Sequence, residues 1–294
     1  MTRFGLAAIV LLLACSAAAQ DLGLAGQGPV EVLADGAIEW RRDDQVVIAR
    51  GNARATRDGT TVFADRLLAR YRPRAGAEAR AADGSPFGGA SEVWRLEAEG
   101  NVRIVAGNDR AQGDRAIYDL DRKVLVLTGR SLALTNGTDT VTARDALEYW
   151  SVTRMAVARG QAVVTAPDRK LEADTIAAWF AERETATPAQ TVRGTPVPGA
   201  GRLERAEAWG DVRITTETDV VRGDRGVYLP AEGVARLFGA VRITRGQNQL
   251  NGAVAEVNLR TGVSRLLPTP GGRVAGMLVP EERRPPAPAL ERGR

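Results

Sequence analysis

The strongest constraint on the fold of this chain is a recurrence. ARGNARAT around Gly51, AEGNVRIV around Gly100, LTGRSLAL around Gly129, ARGQAVVT around Gly160, AWGDVRIT around Gly210 and LFGAVRIT around Gly239 share one frame. About fourteen residues after a glycine comes a second block: VFAD to Asp65, AQGD to Asp114, LEAD to Asp174, VRGD to Asp224 and LNGA to Ala253. The Gly129 copy runs one residue late, reading VTAR to Arg144 with Asp145 just beyond, and VLAD at Asp35 opens the array half a unit early. A period of about thirty residues is too short for one unit to bury its own apolar face, so the units are expected to stack into a continuous array.

Within a unit the apolar residues alternate with polar ones, which is the period of a strand. Leu96, Ala98, Val102 and Ile104 fall on one face, with Glu97, Glu99 and Arg103 on the other. The same face holds Val212 and Ile214 around Gly210, Leu125, Leu127 and Ala133 around Gly129, Val164 after Gly160, and Leu237, Val241 and Ile243 around Gly239. The count runs through each glycine, which places the glycine on the inward face of a strand that bends there. A slip of one residue would turn each strand inside out, so agreement across units predicts a fixed register. The expected fold is all-β: a repeat-built, twisted antiparallel β-jellyroll, or β-taco, with two long strands per unit and two facing layers.

Two spacings between units stretch to about fifty residues because Gly-, Pro- and Ala-rich segments, 73–92 and 183–201, interrupt them; these read as inserted loops. Residues 1–20 carry one basic residue, an apolar run from Phe4 to Ala14 and small residues ending Ala17-Ala18-Ala19, the pattern of a secretory signal peptide. Cys15 follows Leu12-Leu13-Ala14, an imperfect lipoprotein signal, and the ordinary Ala17-x-Ala19 site fits better. Cleavage there leaves no cysteine, hence no disulfide framework. The proline-rich polar segment 281–294 reads as a disordered tail. The repeat domain itself is expected over residues 29–279.

Composition narrows the chemistry. There is no histidine and only 5% aromatic content, and basic charge is nearly all arginine, with Lys123 and Lys170 the only lysines. The commonest acid–base, thiol and zinc chemistries are therefore without their residues, and no cofactor is expected. The recurrent Asp35, Asp65, Asp114, Asp174 and Asp224 stand singly, one per unit, unlike the clustered oxygen ligands of calcium repeats. Each is expected to close a turn or pair with the arginine that often follows it. No basic–aromatic interleaving of the nucleic-acid-binding type occurs.

PVEVLADGAIEW, ARGNARATRDGTTVFADRLLARY, WRLEAEGNVRIV, GDRAIYDLDRKVLVLTG, VVRGDRGVYLPAEG and GQNQLNGAVAEVNLRTGVSRLL, in that order, resemble the OstA-like domain of the LptA/OstA family. The resemblance runs from about Pro29 to Val279, and its specificity lies in ordered recurrence rather than in any one motif. It implies a periplasmic protein whose β trough shelters the lipid A acyl chains of lipopolysaccharide. It also implies edge strands that pair with inner- and outer-membrane transport components of the same fold, or head to tail with other copies. The candidate lipid-facing residues are Leu96, Val102, Ile104, Leu125, Leu127, Val164, Val212, Ile214, Leu237, Val241 and Ile243. The candidate partner edges are the first block, Val30 to Ile38, represented by Val30, Val32 and Ile38, and the last strands, Val254 to Leu267, represented by Val254 and Val257.

The residues alone leave two readings of the inward face. Val, Ile and Leu there either line a lipid space or pack layer against layer, and the small inward residues, such as Ala49, Ala53, Ala55, Ala158 and Ala162, fit both. A solid interior would make the chain a non-catalytic envelope scaffold that binds partners by strand addition. A polysaccharide-active enzyme on a stacked β fold is the third alternative.

Overall fold

A computed structural model describes residues 30–74, 91–181, 202–258, 260–261, 263–268 and 271–277. The expected signal peptide, the expected tail and most of both expected loops lie outside these residues. The first loop is shorter than the composition suggested, because Tyr71, Arg72 and Pro73 pair with Val93, Glu92 and Ser91.

The described residues form eighteen strand segments and no helix: β1 (Glu31–Leu33), β2 (Ile38–Arg41), β3 (Val46–Arg57), β4 (Thr60–Pro73), β5 (Ser91–Ala106), β6 (Asp109–Asp119), β7 (Val124–Thr128), β8 (Leu132–Asn136), β9 (Asp139–Ala143), β10 (Ala146–Trp150), β11 (Met155–Ala166), β12 (Arg169–Phe180), β13 (Leu203–Thr216), β14 (Val220–Leu229), β15 (Val234–Arg245), β16 (Asn248–Asn258), β17 (Val263–Leu267) and β18 (Ala275–Met277). Every pairing is antiparallel and joins neighbours along the chain. Segments β1/β2, β7/β8, β9/β10 and β17/β18 are each the two arms of one bent strand. β6, for example, pairs with β7 along one half and β8 along the other. The result is one long meander, bent along its middle so that its two arms face each other.

The bend is built differently on alternate strands. On glycine strands two successive residues take positive φ: Gly51 and Asn52, Gly100 and Asn101, Gly160 and Gln161, Gly210 and Asp211, Gly239 and Ala240. Three residue steps there oppose two on the next strand, as between Glu99↔Arg115 and Val102↔Gly113, a β-bulge that turns the strand sharply. On the aspartate strands the inward positions instead jump by three. They run Val62, Ala64, then Leu67, Ala69 and Tyr71 in β4, and Leu171, Ala173, then Ile176, Ala178 and Phe180 in β12.

The inward phase expected from the sequence therefore holds through Gly51, Gly100, Gly160, Gly210 and Gly239, slips by one after Gly129, where Leu132 rather than Ala133 is buried, and breaks at the Asp–Arg step of the neighbouring strands. The glycine is not an inward residue either. The space a side chain would occupy at Gly100 is filled by the carboxylate of Asp65, and the same holds for Gly160 with Asp145, Gly210 with Asp174 and Gly239 with Asp224.

The aspartates consequently do not close turns, nor do they pair with the arginine that follows. Asn101 Nδ2 donates to Asp65 at 2.9 Å, Asn52 Nδ2 to Asp35 at 2.9 Å, and the Arg130 backbone N–H to Asp114 at 3.0 Å. The arginines reach outward-facing glutamates instead: Arg66 bonds Glu99, Arg115 bonds Glu97 at 2.6 Å, and Arg225 bonds Glu207 at 2.7 Å. Asp145, one residue late in sequence, still reaches its glycine, and there the preceding Arg144 holds it at 2.7 Å.

Candidate functional site

The space between the two arms is the feature that positions apolar side chains toward a common centre, and it narrows along the array. At the N-terminal end it holds a cavity of about 830 Å³ lined by Val32, Ala49, Val62, Leu96, Tyr118 and Leu125, among others. A second space of about 90 Å³ adjoins it at Ile104 and Leu125 and continues past Leu127, Leu134, Val164 and Phe180. Toward the C-terminus a third, of about 20 Å³, lies among Ile214, Leu237 and Val257 and has room for little more than a water molecule. The first volume falls within the roughly 300–1,000 Å³ typical of small-molecule sites.

The sequence-selected inward residues divide along this taper. Leu96, Ile104 and Leu125 line the large cavity; Ile104, Leu125, Leu127 and Val164 line the middle one; Ile214 and Leu237 line the smallest. Val102, Val212 and Val241 border none of the three and are at most 1% exposed. They stand just beyond the bulge in β5, β13 and β15, each opposite a glycine of the next strand, Gly113, Gly223 or Gly252, where the arms converge. Their burial is crease packing. Ile243 is partly buried against the C-terminal core, which runs from Val141 to Val257.

The edges also divide. Val30, Val32 and Ile38 are 43%, 39% and 57% exposed, and β1 and β2, which hold the latter two, pair with β3 alone. All three also line the large cavity, so this edge is the cavity's end wall. Val254 and Val257 are not at an edge. They lie in β16, which is bonded to β15 on one side and to β17 and β18 on the other. The C-terminal edge is one strand further on, where Val263, Leu267 and Met277 are 46%, 44% and 61% exposed.

The outer face is laced by ion pairs. Glu97, only 2% exposed at its side chain, accepts from Arg70 at 2.7 Å and Arg115 at 2.6 Å, with Arg95 Nε at 3.1 Å. Burial pushes its carboxyl upward, but the hydrogen bonds from Arg70 and Arg115 and the nearby charges outweigh that and hold it below the usual carboxylate range. Glu207 occupies the same place in a later unit, between Arg205 and Arg225. Trp179 and Trp209, spaced irregularly in sequence, meet edge to face with ring centres 6.5 Å apart.

Sequence reasoning missed one charged residue of the interior. Arg57 follows Ala53 and Ala55 on the inward alternation of β3, is 6% exposed and lines the large cavity. Counting two past Ala55 would have found it.

An uncharacterized protein of Rhizobium meliloti (strain 1021) is 26% identical over 132 residues, 45% of this chain; the chain spans just under two thirds of that relative, 66%. The crystal structure of LptH, the LptA homologous periplasmic component of the lipopolysaccharide transport device of Pseudomonas aeruginosa, matches with 16% identity and a TM-score of 0.37 over 48% of this chain and 95% of that one. The profile of the family described as LptA/(LptD N-terminal domain) LPS transport protein matches twice in succession, over residues 31–146 and 143–263, and by this match across most of its length the chain belongs to that family.

Proposed function

We propose that the chain is a periplasmic carrier that shelters the acyl chains of lipopolysaccharide between its two arms, without catalysis and without a cofactor. The observation that carries this reading is the apolar cavity of about 830 Å³ at the N-terminal half. Burying each methylene of an acyl chain there contributes roughly 0.8 kcal/mol, enough for a chain of ordinary length to be held without a covalent step. The family match supports lipopolysaccharide as the lipid. Release is then a matter of continuing the apolar path into a partner, and the exposed edges β1/β2 and β17/β18 offer backbone groups for strand addition to a transport component of the same fold or to another copy.

The scaffold reading keeps a narrower place. The packed crease and the third cavity of about 20 Å³ favour a C-terminal half that is structural, a rigid stack rather than a lipid channel. The test is native mass spectrometry of the mature, delipidated protein with lipopolysaccharide titrated in. Saturable binding that Leu96→Asp weakens while β structure persists supports the carrier. A well-folded protein that takes up no lipopolysaccharide leaves the scaffold alone.

A further inference from the structure

The outer faces of the two arms differ in charge. On the arm that contains β7 and β10, arginines meet in register at Arg50↔Arg66 and Arg70↔Arg95, but a glutamate takes each of them. Glu39 holds Arg50 at 3.1 Å, Glu99 holds Arg66, and Glu97 holds Arg70 and Arg95. On the arm that contains β8 and β9, one outward row runs from Glu172 through Arg213, Arg222 and Arg242 to Asn251, each residue directly opposite the next on adjacent strands. The row beside it holds Lys170, Thr215, Val220, Thr244 and Gln249.

Glu172 is the one carboxylate in these two rows, and it already holds Lys170 at 2.6 Å and lies 3.8 Å from Arg213. Arg222 and Arg242 are exposed and have no hydrogen bond or ion pair among the described residues. The acids nearest in sequence stand off the rows: Asp211 and Asp224 at the crease, the latter seated over Gly239, and the exposed Glu217 in the turn at the arm's tip. Like charges directly opposite on a sheet are destabilising. Two such contacts in succession therefore work against the fold, and here no acid relieves them as on the other arm. The row suits an anion from outside, and the planar fork of arginine matches the oxygens of a phosphate. Adjacent strands lie about 4.8 Å apart, so the three guanidinium groups are spread along a surface rather than gathered round one point. A plane of phosphates is the partner of matching shape.

We propose that this outer face is a docking surface for an anionic phospholipid bilayer, with Arg213, Arg222 and Arg242 on the headgroup phosphates. The contact lies outside the trough, on the half of the array whose interior is packed, and does not depend on acyl lipid in the large cavity. Val220 is the only apolar side chain in the two rows, so the contact is electrostatic: weak, reversible and sensitive to salt.

The test is co-sedimentation of the mature full-length protein with vesicles of phosphatidylcholine alone and of phosphatidylcholine mixed with phosphatidylglycerol, at low and at physiological salt. Two double variants lose the same charge from opposite arms: Arg222→Gln with Arg242→Gln, and Arg122→Gln with Arg236→Gln, the latter pair being 78% and 41% exposed. The expected result is binding only to vesicles that contain phosphatidylglycerol, weakened by salt, lowered about tenfold or more in the first double variant and within about twofold of wild type in the second. Thermal unfolding checks the fold, and the first double variant should melt no lower than the wild type, because it removes like charges that face each other. A wild type that ignores phosphatidylglycerol overturns the proposal and leaves the carrier reading standing. Equal losses in the two double variants also overturn it, as a response to net charge alone. Binding that Leu96→Asp abolishes places the contact in the trough and overturns the face. Dextran sulfate bound through Arg222 and Arg242 by a protein that ignores vesicles overturns the bilayer as the source of the anion. Should the first double variant fail to fold, Arg242→Gln decides alone: a loss of about threefold or more supports the proposal and undiminished binding overturns it.

Discussion

The carboxylate of Asp65 lies over Gly100, in the space a β-carbon at that glycine would fill, and the side-chain amide of Asn101 beside it donates to both oxygens of the same aspartate. Each corner of the meander is thus made by two strands together. One strand supplies a residue pair with left-handed backbone, the other a short acidic side chain to seat against it. The repeat of glycine and aspartate blocks is the sequence image of that crease, and the crease is what turns a flat sheet, with two wet faces, into a trough with an inside.

Gly100→Ala should destabilise the fold by about 2–4 kcal/mol, from a side chain placed at positive φ and from the displaced Asp65 carboxylate. Gly59→Ala is the control: its φ of +79° is equally left-handed, but nothing lies within 4 Å of the added carbon. It should cost about 1–2 kcal/mol, the backbone share alone. Urea midpoints of the two variants compare them, and equal losses would mean that the aspartate contributes nothing to the corner.

Val212→Asp and Leu96→Asp should separate packing from binding. Val212 has no exposure and borders none of the three cavities, so an unpaired carboxylate there costs about 3–5 kcal/mol or prevents folding. Leu96 faces the large cavity, where water can reach the new carboxylate, so the fold should survive with a loss of about 1 kcal/mol while acyl-lipid binding falls at least about tenfold. Circular dichroism and lipid titration on the same samples check both halves. A folded Val212→Asp protein, or a Leu96→Asp protein with undiminished lipid binding, contradicts the division of the trough into an open and a packed half.

Much of the architecture was legible because alternation is a local signal. Leu96 to Ile104 and Ala206 to Ile214 state the strand, its face and its phase within a few residues. The slip at Asp65-Arg66 was not legible, since a two-residue break in alternation looks the same in a turn, a bulge or a register jump until the partner strand is known. Nor was the taper. Ala49 and Ala55 border the large cavity while Ala206 and Ala208 are sealed in the core, yet all four read alike in sequence, because the separation of the arms depends on every strand between them. The stretch expected to form the C-terminal edge, Val254 to Leu267, does contain the edge strand β17, but the residues singled out in it, Val254 and Val257, lie one strand too early for a similar reason. The strand that covers β16 is itself split, and the second half, Ala275–Met277, carries none of the repeat's marks.

Glu97 should give the fold an acid-sensitive component. Its carboxyl titrates below the ordinary range in the folded chain, so the stabilisation it contributes is fully present above the unfolded value of 4.5 and is lost as pH falls through the lower folded value. Glu97→Gln leaves Arg70, Arg95 and Arg115 facing a neutral group. These arginines are 30–46% exposed and partly screened, so the loss at pH 7 should be about 1–3 kcal/mol, below that for a fully buried pair. Denaturation midpoints measured from pH 7 down to pH 3 should show the gap between wild type and variant closing toward the acid end. A constant gap would mean that the carboxylate's charge is not what stabilises this face.

The two free edges make a prediction about assembly that is independent of lipid. β1/β2 and β17/β18 each pair with a single neighbouring strand, and Leu33 and Val263 on them are 41% and 46% exposed and border none of the three cavities. A lysine on an edge strand opposes addition of a further strand by charge and desolvation, without touching the interior. Leu33→Lys and Val263→Lys should therefore change the stability of the monomer by no more than about 0.5 kcal/mol. If copies join head to tail, the N-terminal edge of one against the C-terminal edge of the next, each variant by itself sediments as a monomer at concentrations where the wild type forms longer species, and the two variants mixed together form pairs and nothing longer. Sedimentation velocity over a range of concentrations reads this directly. A wild type that stays monomeric throughout would remove the second copy as the occupant of these edges and leave them to a transport component of the same fold, for which the same two lysine variants should weaken capture.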